Sequence, residues 1–316
     1  MALPVELASQ SVASGVYAAL LTPRRPDSID ADTAAFLEYL DAVAEGGASG
    51  LVLFGSTGEF VHFDLEERMR ATSLAVKRSR LPVLVNISHS ALPGAVQLAQ
   101  QAFDTGAQGV LLMPPYFYHY SEHEIAEFYA AFFDTTQDLG PVYLYSLPFY
   151  TNPLSMQLMR ELLSSGKFAG IKDSSGDWAV LEELFKIRGQ TRFQLLVGNE
   201  IVYLRGLLGG ADGIISGVAG ALPELPVAME RAVKTGDSAA AESLGVRLDE
   251  FMAWVARFPA SAAIKSLAEA RGWIRANFAT PLGNNTRQEL LKFRGWLQAW
   301  LSKTLDECAA VGSVRT

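Results

Sequence analysis

Eight short, nearly continuous apolar runs punctuate this 316-residue chain, and stretches of helical period fill the gaps between them. The runs are GVYAALLTP (15–23), GLVLFGS (50–56), PVLVNIS (82–88), GVLLMPP (109–115), PVYLYSLP (141–148), FAGIK (168–172), FQLLVG (193–198) and GADGIISG (210–217). A strand with one wet face alternates apolar and polar residues. These runs do not alternate, which fits parallel strands covered on both faces. The intervening segments include DTAAFLEYLDAVAEGG (32–47), DLEERMRATSLAVKRS (64–79), PGAVQLAQQAFDTG (93–106) and SEHEIAEFYAAFFDTT (121–136). Ser121 with Glu124 spells a capping box, and Asp64 with Glu67 makes a similar helix opening. Strand then helix, eight times over, predicts an α/β fold of the TIM (β/α)8 barrel type. A doubly wound sheet is the alternative, and the strand count favours the barrel.

Past the eighth run the chain is too long for one closing helix. Residues 238–256, 260–272 and 286–303 read as three additional C-terminal helices, separated by Pro259 and by the loop TPLGNN at 280–285. The expected organisation is a barrel with a short N-terminal extension over 1–225, and a closing, C-terminal helical region over 226–316 packed on the barrel or at subunit contacts. The late aromatics, including Trp296 and Trp300, read as core or interface packing.

With 49% hydrophobic and 19% charged residues the chain has material for a large core and none of the profile of a disordered segment. A formal net charge of -8, without a cluster of Lys and Arg, argues against a nucleic-acid partner. The single cysteine, Cys308, excludes an intrachain disulfide or a Cys-rich zinc site and points to a reducing cytoplasm. The opening MALPVELASQSVASG lacks the basic start and apolar core of a secretory signal, and no apolar run reaches membrane-spanning length.

In a barrel of this kind the chemistry sits at the C-terminal ends of the strands. Those ends carry Thr22, the GSTGE segment (55–59), Asn86, Pro115-Tyr116-Phe117-Tyr118, Tyr145, Lys172, Asn199-Glu200 and Ser216-Gly217. Lys172 is unusual because FAGI before it reads as buried strand. Burial disfavours the ammonium form, and a neutral amine can attack a carbonyl to form a Schiff base. The plainer reading has Lys172 snorkelling to solvent or pairing with Asp173 or Asp177. Tyr143 and Tyr145 alternate to one side of their strand, so a phenol near the amine can shuttle protons, or else serve only as a packed structural tyrosine. GSTGE has two glycines that let backbone N–H groups approach an anion, with Ser56 and Thr57 as hydroxyl donors. It suits a carboxylate, although a tight structural turn would look similar, with Glu59 capping or holding the loop. His62, His89, His119 and His123 form no metal-binding motif, so no catalytic metal is expected.

With these residues assembled, the chain resembles the dihydrodipicolinate synthase and N-acetylneuraminate lyase superfamily of class I, pyruvate-dependent aldolases over roughly residues 14–300. The resemblance rests on GSTGE, LYSLP, GIKDSSGD and GADGIISG in barrel order. It implies an imine between Lys172 and pyruvate or a 2-oxo acid, with Tyr145 relaying protons, assisted by Thr57. Ser56, Thr57 and the loop amides around Gly58 would hold the carboxylate, and Ile215 would pack against the imine. No cofactor is implied, and homotetramers built as dimers of dimers are common in the family.

Two departures bear on substrate. Phe117 stands where the synthases have a relay tyrosine, and a phenylalanine cannot relay a proton. Tyr150 stands where they place an arginine. YSLP and KDSSGD look closest to the 4-hydroxy-2-oxoglutarate and 2-keto-3-deoxy sugar acid aldolases, in which Ser174 would touch substrate. The implied activity is cleavage of a small hydroxylated 2-oxo acid to pyruvate and an aldehyde. Dihydrodipicolinate synthase-like condensation or sugar-acid dehydration through the same lysine are the alternatives, with a noncatalytic binding relative as a lesser one.

Overall fold

The computed structural model describes residues 13–313 except 27, 29, 138 and 260; the reading of the N-terminal dozen as free of a secretory signal lies outside the described residues. The eight runs become β1 (Gly15–Ala19), β2 (Gly50–Leu53), β3 (Val83–Asn86), β4 (Gly109–Leu112), β5 (Val142–Ser146), β6 (Gly170–Asp173), β7 (Gln194–Val197) and β8 (Gly213–Ser216). They pair in parallel and in sequence order, and β1 closes on β8. Every strand residue is buried, which is why the sequence does not alternate.

The helices that follow the strands are α1 (Thr33–Glu45), α2 (Leu65–Arg78), α3 (Leu92–Asp104), α4 (Glu122–Thr136), α5 (Met156–Ser164), α6 (Trp178–Arg188), α7 (Tyr203–Leu208) and α8 (Glu224–Thr235). Both expected helix openings are capping boxes, with Asp64 and Ser121 each accepting from the N3 backbone while Glu67 and Glu124 reach back. The C-terminal helices are α9 (Ser238–Val255), α10 (Ala262–Ala270) and α11 (Asn284–Ser313). α10 is shorter than the sequence suggested and α11 runs ten residues further than 303. The extension is amphipathic enough to pack, with Thr304 and Cys308 buried. The late aromatics do pack: Trp254, Phe293, Trp296 and Trp300 form a continuous ring cluster between α9 and α11.

The bottom of the barrel is closed by large side chains that glycines admit. The β-register sets Tyr17 beside Gly50 and Tyr143 beside Gly170. A Cβ on Gly50 would lie 2.2 Å from the Tyr17 ring, and one on Gly170 would lie 3.0 Å from that of Tyr143. The phenols are satisfied where they meet, Tyr17 donating to Gln108 at 3.1 Å and Tyr143 to Gln194 at 2.7 Å. With this end filled, an interior ligand can enter only from the C-terminal ends of the strands.

Candidate active site

Strand register brings the sequence-selected lysine and tyrosine to one face. Tyr145 of β5 is the direct partner of Lys172 on β6, which partners Leu196 on β7. Ile215 on β8 partners the inward-facing Tyr17, so all four share the interior face. Asp173, one residue on, faces the other way: its carboxylate accepts from Ser175 at 2.6 Å, and Asp177 instead caps α6. Neither takes Lys172 as an ion-pair partner among the described residues.

Lys172 is 3% exposed and Tyr145 is fully buried. The Lys172 Nζ lies 4.0 Å from the centre of the Tyr145 ring. Gly198, just past β7, makes room for the lysine stem. A Cβ there would stand 3.0 Å from Lys172 Cε and 2.2 Å from Ser174 Oγ, and Ser174 itself donates to the Gly198 carbonyl at 3.0 Å. Burial pushes the Tyr145 phenol up, but the Lys172 charge and hydrogen bonds with Lys172, Ser56 and Ser174 outweigh it and hold the phenol below its ordinary value. A phenol poised in this way can give and take protons next to a nucleophilic amine.

The hydroxyl that meets Tyr145 belongs to Ser56, 3.3 Å away. Thr57, the expected helper, turns instead toward the end of β8, its Oγ1 lying 2.9 Å from where a Gly217 Cβ would be. The loop that carries both residues is strained at its two ends. Phe54 and Glu59, on either side of Gly55–Gly58, both adopt left-handed φ of 56°. Asn86 holds the first by donating to the Phe54 carbonyl at 2.6 Å. The second is held by its side chain, which accepts from Lys265 at 2.7 Å and Ser261 at 3.2 Å, with Arg24 at 4.0 Å. Gly58 must be glycine, because a Cβ would come within 2.9 Å of the Leu20 carbonyl. Glu59 thus holds the loop to α10 rather than capping the turn that follows it.

Above Ser56 and Thr57 opens a cavity of about 390 Å3. Tyr150, although 72% exposed, lines it, as do Phe60, His62, Tyr116 and Leu147. Other residues at the mouth are spent on structure: Asn86 on Phe54 and Ser88, and Glu200 on Ser216 and the Val218 amide. Among the described residues no group of three or more His, Cys, Asp or Glu is placed to hold a metal ion. The sequence reading passed over Lys265 and Arg24. The available signal was a lysine within AAIKSLAEA, a helix whose buried face is otherwise made of small and apolar residues.

The Dihydrodipicolinate synthetase family model matches residues 12–300. The chain is 31% identical over 277 residues to a 4-hydroxy-tetrahydrodipicolinate synthase of Salinibacter ruber, covering 85% of this chain and 89% of that protein. It is 32% identical over 235 residues to an uncharacterized DapA-like lyase of Chloroflexus aurantiacus, covering 72% of this chain and 78% of that one. YagE, a prophage protein of the dihydrodipicolinic acid synthase family from E. coli K12 solved in complex with pyruvate, superposes with a TM-score of 0.83 at 25% identity, over 91% of this chain and 98% of YagE.

Proposed function

This chain belongs to the dihydrodipicolinate synthetase family, and from that premise we propose that it cleaves a small hydroxylated 2-oxo acid to pyruvate and an aldehyde, with Lys172 as the imine-forming nucleophile. It is a Schiff-base-forming, pyruvate-dependent carbon–carbon lyase or aldolase. The observation that supports the residue assignment is the buried pair itself: the Lys172 Nζ 4.0 Å from the Tyr145 ring, at the open end of a barrel closed at the other.

The Lys172 amine adds to the C2 carbonyl and water leaves, giving a protonated imine. Tyr145, as phenolate, takes the proton of the C4 hydroxyl. The C3–C4 bond then breaks, its electron pair passes to the iminium, and the aldehyde departs. Protonation of the enamine at C3 and hydrolysis release pyruvate and restore the amine. Ser56, Thr57 and the amides around Gly58 hold the substrate carboxylate, Ser56 also linking Tyr145 to the open mouth. Ile215 packs beneath the imine, and Ser174 and Tyr150 flank the substrate. Run backwards, the same enamine condenses with an aldehyde, a direction favoured by the activity named for the Salinibacter relative.

Incubation with pyruvate and borohydride, followed by intact mass and peptide mapping, should place one reduced adduct on Lys172 and none on Lys265. Lys265 is equally buried, but its ammonium is committed to Glu59 and the Asn277 carbonyl. Folded protein without an adduct would remove this reading.

A homotetramer built as a dimer of dimers accompanies the proposal. Phe117 and Tyr118 stand 86% and 66% exposed beside the mouth, and Phe117 adopts a strained φ of 80°. Sedimentation should show a tetramer, and a concentration-independent monomer would exclude it. No helix among the described residues is long and apolar enough to cross a membrane. A cytoplasmic setting fits Cys308, a lone thiol whose pKa is pushed up to about 12, by burial first and then by Glu224 and Glu307.

A further inference from the structure

The cavity of about 390 Å3 begins at Ser56 and Thr57, and neither Lys172 nor Tyr145 is part of its lining. It therefore receives whatever the substrate carries beyond the carbons bonded to the imine. At ~30 Å3 for each water in the liquid it has room for about a dozen waters, enough for a ring or a branched chain. Its walls include Phe60 and Val61 from the turn after the 55–59 loop, Met113 beyond β4, Leu147 beyond β5 and Ile264 from α10. The Tyr116 ring closes edge-on against Phe60, with centroids 5.6 Å apart, and burial pushes its phenol up.

No lysine or arginine lines this space. The two buried cations behind it, Lys265 and Arg24, turn their charge toward Glu59, at 2.7 and 4.0 Å. Glu59 is thereby committed. Ser261 donates to Glu59, and Thr151 donates to the Leu147 carbonyl at 3.1 Å, so these two hydroxyls are spent within the protein; beyond Ser56 and Thr57, the other polar side chains of the wall are His62, Tyr116 and Tyr150. A second carboxylate, placed beyond Ser56 and Thr57 against Phe60, Val61, Met113, Leu147 and Ile264, would lose its hydration without gaining a lysine or arginine, and hydroxyls buried on that apolar face would go unpaired.

We propose that the aldehyde handled at this site carries an uncharged, apolar substituent, aryl or branched alkyl, so that the substrate is a 4-hydroxy-2-oxo acid with that group on C4. The inference rests on the imine assigned to Lys172. In the condensing direction pyruvate and the aldehyde combine without loss of atoms or change of oxidation state overall: C3 gives up a proton, the C3–C4 bond forms, and the aldehyde oxygen becomes the hydroxyl.

The test measures kcat/KM for product formation from pyruvate with benzaldehyde, isovaleraldehyde, glyceraldehyde or succinate semialdehyde, in the wild type and in Val61→Lys. Val61 is 60% exposed, so the substitution adds a cation to the wall without disturbing the core. The wild type should favour benzaldehyde or isovaleraldehyde by about tenfold or more, within the ~10–200-fold that an apolar pocket can supply. Val61→Lys should shift the ratio of succinate semialdehyde to isovaleraldehyde upward by about tenfold. Borohydride trapping of pyruvate in the same samples separates the two levels. Adduct without the apolar preference, or a ratio unmoved by Val61→Lys, overturns the pocket assignment alone, whereas loss of the adduct overturns the imine reading beneath it.

Discussion

Lys172→Met is expected to lower turnover by about 10⁶-fold or more, the lower end of what enzymes gain over the uncatalysed reaction, and to leave the fold intact. Methionine keeps most of the apolar stem that Gly198 accommodates and removes only the nucleophilic nitrogen. Replacing a buried charge with an apolar group of similar volume is often neutral or stabilising, so the thermal midpoint should hold or rise. The same substitution removes the charge that lowers the Tyr145 phenol, leaving burial to push it up. Ultraviolet titration should therefore show one tyrosine ionising at higher pH in the variant. Turnover retained by Lys172→Met would place the nucleophile elsewhere.

The sequence made the barrel and the Lys172–Tyr145 pair legible for one reason. Both depend on local rules: continuous apolar runs mark strands covered on both faces, and alternation fixes which residues of LYSLP and GIKD face inward. The identity of Tyr145's hydroxyl partner was not legible, because Ser56 and Thr57 are adjacent and only the loop backbone decides between them. That backbone is set by left-handed residues at Phe54 and Glu59, held from Asn86 and from Lys265. Glu59 and Lys265 lie 206 positions apart, and no periodicity carries information over that distance. Tyr150 was placed at the mouth by the family resemblance, as the residue standing where the synthases have an arginine, whereas the apolar character of the cavity emerges only when Phe60, Met113, Leu147 and Ile264 come together from four parts of the chain.

Tyr145→Phe should separate rate from stability. Loss of a positioned general acid and base lowers turnover by about 10²- to 10⁴-fold. The missing hydroxyl costs the fold about 1–3 kcal/mol: Ser56 is exposed and can turn to water, whereas the buried Lys172 and Ser174 each lose a partner. The pH dependence follows from the direction of the phenol's shift. Burial raises it, yet Lys172 and the surrounding hydrogen bonds bring it below 10.0, so the folded state releases this proton before the unfolded chain does. Between the folded value and 10.0 the unfolded state binds more protons, and stability from this group grows with pH. It is lost as pH falls through the folded value. Below the folded value the ionisation contributes nothing to folding, while the anion forms more readily than that of a free tyrosine. Imine formation preserves the arrangement, because the protonated imine keeps a positive charge beside the ring. The rising limb of kcat follows the Tyr145 phenol and should begin below pH 10.0. Tyr145→Phe should erase that limb; a limb that persists, or a fall in stability matching the fall in rate, would reduce Tyr145 to a packed structural residue.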